Sequence, residues 1–322
     1  MRSIFGVLAL CVVTSGVAQT TNPGPAYPAK PLRMIVGQPP GGAADLLNRL
    51  VGQKLSERLG QPVVVESRPG AGGQVGAEVV VKSPPDGHTL MIGGAGLAIN
   101  QTLFDKPLFN MTTDLTAISQ VATYASMIVV HPSLPVKSMK ELLALARAKP
   151  GALNFGASPG SANHLGMELV NMMAKVKMVH IGYKGTGPVL TDLLGGHLHT
   201  ASVGFPGATP HVTAGRLRAI AVTSAKRSAL LPELPTVAES GLPGYQVTSW
   251  WGAFGPARLP QPIVARLNTE IRSAMQGDDV KAKLSALGAE VETTTPEEFS
   301  RIVTTEIARW APIVKASGAK VN

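Results

Sequence analysis

The residues best suited to chemistry lie in a glycine-rich turn between an apolar strand and an amphipathic helix, Gly37 to Asp45. Gly41 and Gly42 let the backbone approach a ligand without a Cβ in the way. The free N–H groups of the first helical turn that follows carry the positive end of the helix dipole. The turn therefore suits a negatively charged ligand, although such turns also serve as plain connections. Asp45 can contact the ligand or simply cap the helix.

Two later strand-to-helix junctions have the same chemistry. One is 156–161, which contains Ser158 and Ser161, and the other is 183–187, which begins with Tyr183. All three junctions should lie at the carboxyl ends of strands, and ligands of open α/β sheets bind at that edge. Three such turns can hold one ligand that carries more than one oxyanion. Tyr183 can equally be a packing residue.

The run 156–160 also matches G-x-S-x-G, the nucleophile elbow of α/β-hydrolases, with Asp192 and several histidines downstream. An exported serine hydrolase is therefore the rival class. Its oxyanion hole needs the backbone N–H of the residue after the serine, and that residue is Pro159, which has none. We therefore expect Ser158 to donate its hydroxyl hydrogen to a ligand carboxylate, with a plain loop serine as the alternative.

Two other patterns lack a part that their chemistry requires. The glycines of 70–76 follow a strand, but the third is one residue late for a dinucleotide fingerprint, so a structural turn is expected. His197 and His199 would face the same side of a strand, but no third metal ligand has a convincing spacing. We expect neither a cofactor nor a metal.

The N-terminus predicts export. Arg2 is followed by an apolar run, 4–13, and then by small residues, which is the pattern of a signal peptide over 1–18. This run is too short to span a bilayer. Cleavage would remove Cys11, the single cysteine, so the mature chain could form no disulfide or thiolate site. The chain has a net charge of +9 without basic runs, which favours an anionic solute over a nucleic acid.

Short β-branched runs alternate with helical periodicity, which predicts an α/β fold with largely parallel sheets. The predicted strands are 32–36, 62–66, 89–93, 125–130, 153–155, 178–181, 199–203 and 217–223. One helix carries an apolar stripe that Gly60 ends, formed by Leu46, Leu47, Leu50, Val51, Leu55 and Leu59. Capping boxes are predicted at 138–141 and 295–298.

Further motifs are spread over nearly the whole mature chain. They are 27–33 followed by Pro39-Pro40-Gly41-Gly42, then 59–66, 68–73, 85–87, 132–138, 183–185, 192–196 and 234–239. Together these motifs resemble the Bug (Bordetella uptake gene) family, the periplasmic solute-binding components of tripartite tricarboxylate transporters.

The resemblance implies a two-lobed periplasmic binding protein fold, type II-like, with a mixed, mainly parallel sheet flanked by helices in each lobe. Lobe 1 would combine 19–125 with 248–322, and lobe 2 would be 126–247. A monomer would capture a small carboxylate, such as a di- or tricarboxylate or an aromatic acid, by lobe closure. It would then deliver the acid to membrane permease subunits. A ligand-dependent extracytoplasmic sensor would need the same cleft and stays an alternative.

The resemblance also implies a set of ligand-binding residues from both lobes. They are Gln38, Gly41, Gly42 and Asp45 from the first lobe and Ser158, Ser161, Tyr183, Gly185 and Thr186 from the second. Three positions depart from the family pattern. Gln38 stands where the family usually has an aromatic residue, and His88 where it usually has a tyrosine. Residues 94–96 replace a more hydroxylated segment. Each departure could alter the choice of ligand.

Overall fold

The computed structural model describes residues 27–41 and 43–319. The predicted signal peptide and Gly42 lie outside the described residues. In chain order the elements are β1 (Leu32–Val36), α1 (Ala43–Leu59), β2 (Val63–Ser67), a 3₁₀ turn (Ala71–Gly73), α2 (Gln74–Val81), β3 (Thr89–Gly94), α3 (Ala95–Leu103), β4 (Leu115–Val130), α4 (Met139–Ala148), β5 (Asn154–Ala157), α5 (Ala162–Ala174), β6 (Val179–Gly182), α6 (Thr186–Leu194), β7 (Thr200–Gly204), α7 (Phe205–Thr213), β8 (Arg218–Val222), β9 (Thr248–Pro256), α8 (Gln261–Met275), α9 (Asp278–Ala286), β10 (Ala289–Val291) and α10 (Pro296–Ser317).

The strands form one mixed sheet in the order β2-β1-β3-β9-β4-β7-β5-β6, and β8 and β10 also pair with β4. Parallel pairing joins β1 to β2 and β3, and joins β5 to β6 and β7. Each antiparallel pairing among the described strands involves β4 or β9. Helices cover the sheet, so the predicted α/β architecture is confirmed.

Strand β4 connects two halves of the sheet. Its residues from Leu115 to Ala125 pair with β9, whereas Ser126 to Val130 pair with β7. We call β1–β3, β9 and β10 with their helices the first half, and β5–β8 with theirs the second half. The change of partner falls at the position predicted for the first lobe boundary.

Buried hydrophobic residues form clusters in both halves. Leu47, Leu55 and Ile271 lie in the core of the first half, which packs α1 and α8 on the sheet. Helix α10 contributes to both halves, because Phe299 packs with first-half residues and Trp310 packs with second-half residues. No helix among residues 27–41 and 43–319 is long and apolar enough to cross a membrane.

The sequence predictions missed parts of the sheet. Strand β4 begins ten residues before the predicted strand, and β9 and β10 were not predicted. Eight of the nine residues of β9 are buried, so the strand shows no alternation of apolar and polar residues.

Two helix predictions need correction. Leu46 is 48% exposed and so lies outside the buried stripe of α1. At the start of α4, the Glu141 carboxylate accepts from the Lys137 N–H instead of the Ser138 N–H, so this capping box is only half formed. The capping box at Thr295 is complete.

Candidate functional site

A cleft of about 670 Å³ lies between the two halves, where several strands end. This volume is in the usual range for a small-molecule site. The first half contributes Gly37, Gln38, Pro39, Pro40, Ala43, Ala44, Gly72, Gly73, Met91, Ile92, Gly93, Gly94, Gly96 and Leu97. The second half contributes Ser161, Ala162 and Thr186. The other three lining residues are Tyr124, on β4, the strand that connects the halves, and Ser249 and Trp251, on β9.

Five helix N-termini meet at this cleft. In the first half they belong to α1, through its first residue Ala43, to α2, through its N-cap Gly73, and to α3, through its N-cap Gly94. In the second half they belong to α5, through its N-cap Ser161, and to α6, through its first residue Thr186. A helix N-terminus presents backbone N–H groups that have no acceptor within the helix, and it carries a partial positive charge.

The described residues that line the cleft include no charged side chain. Their polar side chains are Gln38, Tyr124, Ser161, Thr186 and Ser249. An anion in this cleft would therefore be held by backbone N–H groups, hydroxyls and an amide, and not by a lysine or arginine.

Three of the predicted ligand residues line the cleft, namely Gln38, Ser161 and Thr186. Ser161 also caps α5, because its hydroxyl oxygen accepts from the His164 N–H at 3.2 Å. The side chain of Gln38 lies near Gly73, where an added Cβ would be 3.3 Å from its Nε2 atom.

The predicted residues Gly41 and Asp45 are not among the residues that line the cleft. Gly41 has a φ of +85°, and its N–H donates to the Asp45 carboxylate at 3.0 Å. Arg49 donates to the same carboxylate oxygen at 3.0 Å. The Arg49 guanidinium and the Gly41 N–H together lower the pKa of the buried Asp45 carboxyl. Asp45 thus closes the turn that places the start of α1.

The predicted residues Ser158, Tyr183 and Gly185 are likewise not among the residues that line the cleft. The hydroxyl oxygen of Ser158 accepts from the Gly185 N–H at 2.9 Å, which ties the loop before α5 to the loop before α6. The Tyr183 hydroxyl donates to Asp192 at 2.7 Å. Burial, helped by the Asp192 acceptor, raises the pKa of Tyr183 to about 12. Direct contact between these residues and a ligand stays a prediction.

The hydrolase alternative requires a histidine beside Ser158. Within the described part of the chain, no histidine ring makes a hydrogen bond to Ser158, and the two nearby rings bind backbone atoms instead. Asp192, the acid that the hydrolase alternative would use, instead accepts a hydrogen bond from the Tyr183 hydroxyl.

One histidine of the possible metal pair, His199, already has a hydrogen-bond partner. His199 Nδ1 shares a hydrogen bond with Asn154 Oδ1 at 2.6 Å. Among residues 27–41 and 43–319, no three histidine, cysteine or acidic side chains are grouped so that they could hold a metal ion.

The sequence reasoning missed part of the cleft. Gly72 and Gly73 line it, although their turn was interpreted as purely structural. The sequence did contain a signal for them, since Gly72 and Gly73 lie between a strand and a helix, as the turn after β1 does. Trp251 stacks on Tyr124 with ring centroids 4.1 Å apart, and it belongs to the strand that was not predicted.

The positions that depart from the family pattern separate into two groups. Gln38, Gly94 and Gly96 line the cleft. His88 lies before the first residue of β3, at the opposite end of that strand from the cleft, and its ring packs on Tyr27 with centroids 5.2 Å apart. Any effect of His88 on ligand choice would therefore be indirect.

A mixed α/β sheet in two halves, with a helix-lined cleft between them, is the architecture of a periplasmic binding protein. The chain belongs to the tripartite tricarboxylate transporter family of receptors, whose family model matches residues 47–319. The protein BugT of Bordetella pertussis is 35% identical over 325 residues, which cover 100% of this chain and 99% of BugT.

Two solved structures of similar proteins contain small acids. R. palustris Rpa4515 with adipate is 36% identical, with a TM-score of 0.79 over 92% of this chain and 100% of that chain. MatC from Rhodopseudomonas palustris with bound malate is 31% identical, with a TM-score of 0.75 over 89% of this chain and 100% of that chain.

Proposed function

We propose that this protein is a periplasmic receptor that captures a small carboxylate in the cleft. It then delivers the acid to the membrane permease of a tripartite tricarboxylate transporter. The observation that carries the proposal is the meeting of five helix N-termini at a cleft with no charged side chain in its described lining. Each N-terminus favours a nearby anion by about 0.3 to 1 kcal/mol. Adipate and malate, named with two similar structures, are acids of the expected class.

The distribution of donors favours an acid with oxyanions at two ends. Three of the helix N-termini belong to the first half and two to the second, so a ligand between them can bind both at once. Met91, Leu97 and Trp251 supply apolar surface that suits the carbon skeleton of such an acid.

We propose that the protein is a monomer and that ligand capture closes its two lobes. Lobe 1 combines 19–125 with 248–322, and lobe 2 is 126–247. The change of strand partner between Ala125 and Ser126, and the start of β9 at Thr248, support a hinge at these positions. Donors on both sides of the cleft give closure a physical reason, because only the closed form lets one ligand satisfy both sets.

We propose that the protein binds without catalysis. The bond from the Gly185 N–H to Ser158 and the proline after Ser158 support this view, because a nucleophilic serine needs a base and an oxyanion hole.

Calorimetry with adipate, malate and a set of aromatic acids tests the proposal. At least one acid should bind with micromolar or tighter affinity, about −8 kcal/mol or better, and its methyl ester should not. X-ray scattering should show a smaller radius of gyration at saturation. Equal binding of an acid and its ester would exclude carboxylate recognition, and an unchanged scattering profile would exclude closure.

A charge-insertion variant locates the site. Ala162→Asp places a carboxylate in the cleft at the first residue of α5, where an acidic side chain favours the helix. Binding should be lost while the thermal midpoint is kept. The matched control is Gln261→Asp, which introduces the same carboxylate at the first residue of α8, a position that does not line the cleft. Unchanged affinity in Ala162→Asp would place the site elsewhere.

A further inference from the structure

Two histidines are stacked next to the loop before α5, whose last residue, Ser161, lines the cleft. The rings of His164, on α5, and His180, on β6, have centroids 3.7 Å apart and an interplanar angle of 26°. His164 is only 3% exposed. Neither ring lines the cleft, so carboxylate binding as proposed uses neither of them directly.

Both rings bind the backbone around the β5–α5 loop, residues 158–161. His164 Nδ1 accepts from the Gly160 N–H at 3.0 Å, so the neutral ring carries its hydrogen on Nε2. His180 Nε2 donates to the Ala157 carbonyl at 3.0 Å. Because Gly160 is buried, its N–H depends on the His164 ring for a hydrogen-bond acceptor.

The β5–α5 loop positions two of the five helix N-termini. Ser158 accepts from the Gly185 N–H at 2.9 Å, just before α6. Ser161 caps α5 and donates its own N–H to the Ser158 carbonyl at 3.1 Å. Since Ser161 and Thr186 line the cleft, a displaced loop would move both donor groups of the second half.

Few charged groups face the histidine pair. Glu168 on α5 has its Oε1 atom 3.8 Å from His164 Nε2, and burial raises the pKa of this carboxyl. On α10, Arg309 is paired with Glu306 at 3.0 Å. The hydroxyl of Tyr245 donates to a backbone carbonyl of α5. Helix α3 and strands β5 and β7, which also pack near α5, contain no charged residue.

This environment disfavours a charged His164. Burial, and to a smaller extent the neighbouring His180, lower the pKa of His164 to about 4. A proton on Nδ1 would place one N–H against another at Gly160 and remove the acceptor of a buried donor. The loop therefore has a physical reason to open when the ring is protonated.

We propose that His164 and His180 are positioning residues that fix the β5–α5 loop for ligand binding, and that protonation of His164 releases this loop. The proposal rests on the proposed function for its link to affinity. It gives a role to two stacked imidazoles, of which His164 is buried and His180 partly buried, that do not line the cleft themselves.

Amide hydrogen exchange of the unliganded protein tests the release. Protection of peptides covering 158–165, corrected for intrinsic exchange rates, should fall roughly 30-fold between pH 7.5 and pH 5.0 in the wild type. His164→Asn keeps an acceptor near the Nδ1 position but does not titrate, so its protection should not fall. His199→Asn, at a partly buried histidine away from the cleft, should behave as the wild type does. Equal loss of protection in wild type and His164→Asn would overturn the proposal.

Affinity at pH 7.5 tests the positioning role, with adipate and malate as probes. His164→Leu should bind at least tenfold more weakly than the wild type, whereas His164→Asn should stay within about threefold. If the acids bind equally well to wild type, His164→Leu and His164→Asn, the positioning role is wrong and the receptor function stands. If neither acid nor any of the aromatic acids binds the wild type, the receptor function fails, and the exchange experiment still decides on release of the loop.

Discussion

The two walls of the cleft present helix N-termini by different means. The first-half wall depends on missing side chains, because its turns pack backbone against backbone. A Cβ on Gly37 would lie 2.8 Å from the Gly73 carbonyl oxygen, and a Cβ on Gly76 would lie 2.7 Å from the Gly37 Cα. The second-half wall depends on side chains that are present, since Ser158 and His164 hold its loops through hydrogen bonds.

Because the walls are held in place differently, we expect them to respond to different perturbations. A wall fixed by close backbone packing tolerates no added atom but does not depend on a buried imidazole. A wall fixed by hydroxyl and imidazole groups tolerates some change of volume but depends on the protonation state of a buried ring. Substitutions that add volume should therefore affect the first-half wall more strongly. Changes in pH should affect the second-half wall more strongly.

The largest expected effect is on the first-half wall. Gly37→Ala forces a methyl group against the Gly73 backbone, which no side-chain movement can relieve. We expect a loss of about 2 to 3 kcal/mol in the free energy of unfolding, with weaker ligand binding. Urea denaturation measures the change. A stable Gly37→Ala variant with normal affinity would show that this wall is not fixed by close packing.

The second expected effect is on the second-half wall and depends on pH. His164 has its pKa lowered to about 4 in the folded protein, below its ordinary value of 6.5. Above pH 6.5 the ring is neutral in both the folded and unfolded states. As the pH falls from 6.5 towards 4, the unfolded chain binds a proton that the folded protein does not, so stability is lost.

By pH 5 this difference amounts to about 2 kcal/mol. Urea denaturation of wild type and His164→Asn at pH 7.5 and 5.0 measures it, because the variant shares all other titrations. The wild type should lose about 2 kcal/mol more than the variant. Equal losses in both proteins would show that His164 does not make the stability of the second-half wall depend on pH.

The third expected effect is smaller and also concerns the second-half wall. Ser158→Ala leaves the Gly185 N–H without its acceptor and should cost about 1 kcal/mol of stability. Affinity should fall with it, since the loops before α5 and α6 are no longer tied together. Calorimetry and urea denaturation measure the two changes. Ser161→Ala is the comparison, because it removes a helix cap on the same wall and should have a similar cost.

Local features of the cleft could be predicted from the sequence, and distant ones could not. The turns after β1, β5 and β6 were found because a glycine-rich segment between a strand and a helix is a local signal. The contribution of Tyr124, Ser249 and Trp251 depends on the pairing of β4 with β9, which are more than a hundred residues apart in the chain. Nothing in the local pattern of β9 marks it as the partner of β4.

Side-chain roles were harder to predict than positions. Ser158 was expected to donate to a ligand, which stays a prediction, and nothing in the sequence indicated that its oxygen also accepts from the Gly185 N–H, a contact between loops 27 residues apart. The pairing of His164 with His180 likewise requires β5 and β6 to be neighbours. Residue type and spacing predicted which loops meet at the cleft, whereas tertiary pairing decides which of their atoms remain available to a ligand.

The smallest expected effect on stability provides the control for the first-half wall. Gly96 lines the cleft at the second residue of α3, and a Cβ placed there meets no atom within 4 Å. Gly96→Ala should therefore stabilise the fold slightly, by about 0.5 kcal/mol, because alanine favours a helix over glycine. The added methyl group nevertheless occupies ligand space.

Affinity for aromatic acids should therefore fall more than affinity for malate, and Gly96→Val should widen the difference. Calorimetry with an aromatic acid and malate on wild type and both variants measures it. If both ligands lose affinity equally, the open space at Gly96 does not set ligand size. If Gly96→Ala destabilises the fold as much as Gly37→Ala does, close backbone packing cannot be what distinguishes the two glycines.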